Sequence, residues 1–329
     1  MLGESNVNQD EVYENLKASR FKQQKLPAWR PVPTITSTTI TFFTFGIVFI
    51  IIGIIVLVYS AKIVEIKTRY DSECSAIGED CKVTIKVNKK MDEPVMMYYQ
   101  LKNFYQNHRR YVKSKSDVQL NGKYQTLSQI KNSDSCDPVE TNEEMDKEFS
   151  IDGTKLDPKD VATPCGLIAK SFFNDTFSIK YKGSDNTKDE EVVIDETNIA
   201  WEADKKLKYN NIENPKDKND KNYYKSIQWI DMKDEHFIVW MRPAGLPNFR
   251  KLWGRIRKDL EPGNYEVTIK NNYDVSTFDG EKYIVLSTAN AFGGKNKFLG
   301  IAYIVVGGIC IVLAIVFLIG YQIHQRKEK

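Results

Sequence analysis

Four cysteines, Cys74, Cys81, Cys136 and Cys165, carry the clearest chemistry in the chain, and all lie in one long stretch. An even number of thiols in a single segment is the pattern of disulfides made in an oxidising compartment. Four cysteines allow three pairings. The expected one is Cys74 with Cys81 and Cys136 with Cys165, because neighbours in sequence meet most readily. The same stretch holds the single N-x-S/T sequon, Asn174-Asp175-Thr176, which makes Asn174 a candidate for N-glycosylation. Catalytic groups are scarce by comparison. The three histidines are His108, His236 and His324, the last in the C-terminal tail. Neither a histidine metal site nor a nucleophile–histidine pair is expected. Gly293-Gly294-Lys295 lacks the upstream glycine and the following Ser or Thr of a phosphate-binding loop, so it reads as a turn. There is no aspartyl-phosphate signature. The carboxylates Asp189-Glu190-Glu191 have no apolar setting to raise a pKa and read as a solvated loop. No catalytic residue, cofactor or metal is expected. With a net charge of +3 in 329 residues, no polyelectrolyte partner is implied, and nothing resembles a nucleic-acid module.

Two apolar runs must position this stretch. Residues 31–61 and 298–320 carry no charge, and each exceeds the roughly 20 residues that cross a 30 Å hydrocarbon core. The expected division is a cytosolic tail at 1–33, a first span at 34–61, an exoplasmic disulfide-bonded domain at 62–297, a second span at 298–321 and a cytosolic tail at 322–329. The first run is too long and too far from the start for a cleavable signal peptide. Basic residues Lys17, Arg20, Lys22, Lys25 and Arg30 before it, and Arg326, Lys327 and Lys329 after the second, favour cytosolic termini. The paired-cysteine pattern and the sequon favour an exoplasmic loop. The spans hold no charged residue, unlike a transport pathway. Gly46, Gly53, Gly300, Gly307 and Gly308 permit close helix contact, without a strict GxxxG.

Between the spans the pattern is mainly β. Val83, Ile85 and Val87 alternate with polar residues, as do Phe177, Ile179 and Tyr181, and Tyr265, Val267 and Ile269. The continuous runs at 237–241 (FIVWM) and 283–286 (YIVL) suit strands covered on both faces. One antiparallel, sandwich-like domain with short helices is expected. The spacing of Phe249, Leu252, Trp253, Ile256 and Leu260 predicts a helix starting at Pro247, with Arg250, Lys251, Arg255, Arg257 and Lys258 on its solvated face. A shorter helix is expected around 104–112, and exposed loops at 184–191 and 210–222.

Several segments, taken in order, resemble the cell division control protein 50 family. They are 103–114 (NFYQNHRRYVKS) with 119–122 (QLNG), 164–169 (PCGLIA) leading into 173–176 (FNDT), 198–201 (NIAW), 234–250 (DEHFIVWMRPAGLPNFR), 278–280 (FDG), 286–288 (LST) and 293–303 (GGKNKFLGIAY). The likeness covers about residues 25–323. It implies an accessory β-subunit of type IV P-type ATPases, the phospholipid flippases. Such a subunit forms a heterodimer with the α-subunit and is required for its folding and its exit from the endoplasmic reticulum. It supports ATP-driven movement of aminophospholipids to the cytosolic leaflet. The implied home is a secretory-pathway membrane: endoplasmic reticulum, Golgi, endosome or plasma membrane. Candidate contacts are Trp29, Arg30 and Pro31 at the cytosolic edge, and the aromatic-basic segment with Phe104, Arg109, Arg110 and Tyr111. The animal members often carry more cysteines in the first cluster and more sequons than this chain has. Two rivals share the two-span layout: a ligand-gated channel, which agonist-evoked current would reveal, and an ecto-enzyme, which nucleotide hydrolysis would reveal.

Overall fold

Backbone polar groups find no water partners in lipid, so an apolar run that crosses a membrane must satisfy them as a helix. In the computed structural model both runs do so: α1 is Ile35–Lys62 and, at the other end, α10 is Lys297–Lys327. Both are long and apolar enough to cross a membrane. The structure describes residues 13–14, 17–26, 33–183, 189–217, 219–289 and 293–327. These fall into a helical unit, up to Ile55 and from Phe298 onwards, and a β unit, Val56–Lys297.

Within the helical unit, glycine decides how the two helices meet. A Cβ on Gly307 would stand 2.8 Å from the carbonyl oxygen of Gly46, and one on Gly53 would stand 2.8 Å from that of Gly300. Each glycine contact is flanked by a branched side chain, Ile311 and Ile50 at one level and Ile304 at the other. Small residues of this kind let helix backbones approach closely where no hydrophobic force drives them together. Four of the five glycines are therefore used inside this pair. Gly308 faces open space. The rings Phe42–Phe317 and Phe49–Tyr303 add contacts at 5.9 and 5.8 Å.

The β unit contains strands β1 (Glu65–Arg69), β2 (Asp80–Val87), β3 (Val95–Lys102), β4 (Thr176–Lys182), β5 (Glu190–Val192), β6 (Phe249–Ile256), β7 (Gly263–Lys270) and β8 (Glu281–Thr288). They form two antiparallel four-stranded sheets, ordered β1-β8-β3-β6 and β2-β7-β4-β5. The alternating segments are β2, β4 and β7 of one sheet. Strand β8, the run at 283–286, is central to the other. Inward rings join the layers: Trp253 meets Phe177 edge-on at 4.9 Å, and Tyr99 stacks on Phe173 at 4.0 Å.

The helices α2 (Arg109–Lys113), α3 (Asp117–Leu120), α4 (Leu127–Ser133), α5 (Asn142–Met145) and α6 (Leu167–Lys170) lie between β3 and β4. Between β5 and β6 lie α7 (Glu202–Leu207), α8 (Tyr223–Ile227) and α9 (Glu235–Met241).

Two assignments reverse the sequence expectation. The helix expected from Pro247 is strand β6. Its residues Phe249, Lys251 and Trp253 alternate inwards, and a register shift opposite Met97/Tyr98 then leaves Trp253 as an extra residue. Such a bulge resets the phase, so period two with one slip mimics the helical spacing of Phe249, Trp253 and Ile256. The run FIVWM, expected as a strand, is helix α9. The Asp234 carboxylate caps it, accepting from the N–H groups of His236 and Phe237. Phe237, Ile238, Trp240 and Met241 are all buried, so this helix is apolar nearly all round and shows no stripe. The helix expected at 104–112 is reduced to α2. Glu190 and Glu191, expected in a loop, belong to edge strand β5.

Candidate interaction surface

Disulfides fix the loops that carry the candidate residues. Cys74 is bonded to Cys81 and Cys136 to Cys165, with Cα separations of 5.5 and 5.7 Å. Beyond the second bridge, α6 leads to the sequon at the start of β4. Asn174 is exposed, and its carbonyl accepts from the Asn272 side-chain amide at 3.0 Å. Asp175, the middle residue of the sequon, points the other way and is fully buried. Its Oδ2 accepts from Lys282 Nζ at 2.8 Å and from the Tyr70 hydroxyl at 2.7 Å, while its Oδ1 accepts from the N–H of Asn272 and of Tyr273, both at 2.6 Å. The in–out alternation just before β4 thus turns the asparagine out and locks the aspartate in. Burial, and then the Asp175 charge, push the Tyr70 hydroxyl well above its ordinary pKa.

The segment Phe104–Tyr111 divides into core and surface. The Phe104 ring lies 5.2–6.3 Å from the rings of Tyr111, Trp240, Phe249 and Phe278. Buried Gln106 holds the turn, accepting from the Ala244 N–H at 2.9 Å and donating to the Tyr111 hydroxyl at 3.3 Å. Burial pushes that hydroxyl up to about 12. Phe104 and Tyr111 are therefore packing residues. Arg109 and Arg110 project outwards from α2 with Lys113 and line an open cavity of about 340 Å³ with Asp134 and Asp137. Neither guanidinium has a hydrogen-bond or ion-pair partner among the described residues.

That sets them apart from Arg69, Arg250, Arg255 and Arg257. Arg69 pairs with Asp71 and Glu281, Arg250 with Glu65, and Arg257 with Asp195, and Arg255 donates to the Asn198 carbonyl. The expected solvated basic face at 250–258 is thus largely neutralised. Lys258 pairs with Glu190, and Lys251 is buried, donating to the carbonyls of Val239, Trp240 and Arg242 at 2.9, 2.8 and 2.6 Å. Burial, and then neighbouring Arg242, push Lys251 down to about 7. The three carbonyls match the three N–H bonds of its ammonium form, not the two of a free amine.

Trp29, Arg30 and Pro31 lie outside the described residues. No group of three or more His, Cys, Asp or Glu side chains is placed to hold a metal among the described residues. Sequence reasoning passed over the Lys282–Asp175 pair and buried Lys251. A readable signal existed for both. Lys282 shares the inward phase of Ile284 and Leu286, and Lys251 that of Phe249 and Trp253.

Known proteins match this chain across both spans and the β unit. Residues 56–327 match the sequence model of the LEM3 (ligand-effect modulator 3) family / CDC50 family. ALA-interacting subunit 3 of Arabidopsis thaliana is 41% identical, over 94% of this chain and 87% of that protein. Cell cycle control protein 50A of Mus musculus is 38% identical, over 91% of this chain and 87% of its own. Cell cycle control protein 50B of Homo sapiens is 33% identical over 94% of each. With a membrane helix at each end of a two-sheet β domain, and with likeness of this extent, the chain belongs to the LEM3/CDC50 family.

Proposed function

We propose that this protein is the non-catalytic subunit of a type IV P-type ATPase, a phospholipid flippase, and works by binding the α-subunit. The observation that carries the reading is end-to-end similarity to a protein named an ALA-interacting subunit. In this reading both termini are cytosolic and the β unit is exoplasmic. The protein resides in secretory-pathway membranes and Asn174 carries a glycan. The subunit is needed for the α-subunit to fold and leave the endoplasmic reticulum. It supports movement of aminophospholipids to the cytosolic leaflet with ATP hydrolysed by the α-subunit. A bound subunit biases the pump cycle only if it binds some conformations better than others. The rate of phosphoenzyme decay, with and without the subunit, measures that bias.

Trp29, Arg30 and Pro31 would touch the α-subunit at the cytosolic edge, and Arg109 and Arg110 would touch its acidic exoplasmic loops. An unpaired guanidinium suits that task, because its planar fork grips a carboxylate with two hydrogen bonds. Affinity purification in mild detergent tests the proposal. A type IV P-type ATPase should co-purify, and Arg109→Glu with Arg110→Glu should reduce its yield while the thermal unfolding of the subunit stays unchanged. Lipid movement or ATP hydrolysis by the chain purified alone would refute the reading.

A further inference from the structure

Trp201 is 68% exposed, whereas Trp240 and Trp253 are in the core at 0% and 5%. It stands at the start of α7 and forms one wall of an open cavity of about 300 Å³, with apolar lining from Ala200, Ile238, Pro243 and Leu252. The Arg242 guanidinium lies over its indole, 4.7 Å from the ring centroid. The cation–π contact holds the guanidinium against the ring, and its N–H groups remain able to donate.

Among the described residues no carboxylate accepts a hydrogen bond from that guanidinium. The nearest, Asp204, is 3.9 Å from Arg242, beyond hydrogen-bond distance, and Lys208 holds it at 2.7 Å. The other two cations at the cavity are committed. Glu65 grips Arg250 at 2.8 and 3.0 Å, and three carbonyls occupy Lys251. The Arg242 backbone is fixed as well, since its own carbonyl is one of those three. The result is an apolar wall beside one preorganised guanidinium whose only charge partner among the described residues is Asp204 at 3.9 Å. Exposed tryptophan beside arginine is the composition of interface hot spots.

The geometry points to a docking site in which the Trp201–Arg242 groove receives a carboxylate side chain flanked by an apolar one, presented by an exoplasmic loop of the α-subunit. This rests on the accessory-subunit reading and deepens it. A peptide suits the groove better than a lipid headgroup does. Anionic lipid surfaces are met by clusters of several basic residues, whereas here one cation alone lacks a hydrogen-bonded acceptor among the described residues. The apolar wall then accounts for the second half of the ligand.

The test uses the full chain co-expressed with its α-subunit and purified in mild detergent over a series of salt concentrations. Arg242→Glu should lower the retained α-subunit by about tenfold or more, as expected for loss of a hot spot, and Trp201→Ala should do the same. Arg242→Lys keeps the charge but loses the stacked fork, and should fall between wild type and Arg242→Glu. Reversing the matching acid in an α-subunit loop to arginine should restore binding to Arg242→Glu. Unchanged thermal unfolding and an intact Cys136–Cys165 bridge certify the fold. If Arg242→Glu fails that check, Arg242→Gln carries the same test. Wild-type retention by both Arg242→Glu and Trp201→Ala would overturn the groove while leaving the accessory-subunit reading intact. So would wild-type binding to phosphatidylserine vesicles that Arg242→Glu abolishes while α-subunit retention is unaffected. Absence of any α-subunit from the wild-type preparation would overturn both.

Discussion

Replacing Lys282 with methionine asks whether a buried ion pair holds the two sheets to one arrangement. The Lys282 and Asp175 side chains are 2% and 0% exposed. Besides the aspartate, the ammonium donates to Asn271 Oδ1 and to the Tyr273 carbonyl, both at 2.5 Å. Methionine nearly matches the lysine stem in length and volume but carries no charge. Asp175 would then remain buried without its cation, and removing one half of such a pair costs about 3–5 kcal/mol. Three donors would still reach the carboxylate: the Tyr70 hydroxyl and the N–H groups of Asn272 and Tyr273. The lower end, about 3 kcal/mol, is therefore expected.

A domain holds about 5–15 kcal/mol in all, and in a domain of 150–250 residues each kcal/mol moves the midpoint by about 2–4 °C. Lys282→Met should unfold about 6–12 °C below wild type, with thermal unfolding of the full chain in detergent followed by near-UV circular dichroism. Adding Asp175→Asn removes the stranded charge while leaving an oxygen for the two backbone donors, so the double variant should lose less than the sum of the singles. The sequon stays N-x-T in that background, so glycosylation is not a confounder. A midpoint for Lys282→Met within about 2 °C of wild type, or strict additivity in the double variant, would refute the reasoning.

Other perturbations read different parts of the molecule. The two bridges close loops with sequence separations of 29 and 7. Chain entropy then predicts that losing Cys136–Cys165 costs about 3.5 kcal/mol and losing Cys74–Cys81 about 2.5 kcal/mol. Equal midpoint shifts for the two Cys→Ser pairs would contradict this order. In the helical unit, the Cβ of Gly307→Leu must push on the Gly46 carbonyl, whereas the Cβ of Gly308→Leu meets nothing within 4 Å. The first should destabilise the purified chain by about 1–3 kcal/mol, the second should be neutral, and matching effects would exclude the observed helix pairing. The third perturbation is acid. Hydrogen bonds from Lys102 and then Tyr283 hold Glu281 down at about 2, and those from Thr197 and then Arg257 do the same for Asp195, against ordinary values of 4.5 and 3.8. Carboxylates lowered on folding add stability that is complete above their unfolded values and is lost as pH falls through the folded ones. The share from these two should hold from neutral pH to about 4.5 and disappear towards pH 2. Glu281→Gln and Asp195→Asn should flatten the midpoint–pH curve only in that acid window, and flattening above pH 5 would contradict the assignment.

The strands the sequence displayed are those whose partners share their burial. In β2, β4 and β7 one face meets the core and the other meets water, so alternation survives in the residues themselves. The spans are legible for a similar reason, since lipid imposes one requirement on twenty residues at once. The failures lie where tertiary context sets the environment. In α9 the neighbours cover nearly every side, so helical periodicity vanishes, and only the Asp234 cap at its start would have distinguished it from a strand. In β6 the slip opposite Met97/Tyr98 is a property of the pair of strands and cannot be seen in either alone.

The same distinction governs the interaction surface. Arg109 and Arg110 were visible as a basic pair, but so were Arg250, Arg255, Arg257 and Lys258, and in composition the two groups look alike. What separates them is whether folding brings an acceptor. Glu65 reaches Arg250 from 185 positions away, and Asp195 reaches Arg257 from 62. Among the described residues no carboxylate pairs with Arg109 or Arg110. Charge left over after the domain has satisfied itself is available to another molecule, whereas charge spent internally only shapes the fold. By that criterion Arg109, Arg110 and Arg242 remain as contact candidates. The same accounting turns the larger basic run at 250–258, the stronger signal in the sequence, into part of the scaffold: its Arg250 and Lys251 line the Arg242 groove, and of the groove's three cations only Arg242 lacks a hydrogen-bonded acceptor among the described residues.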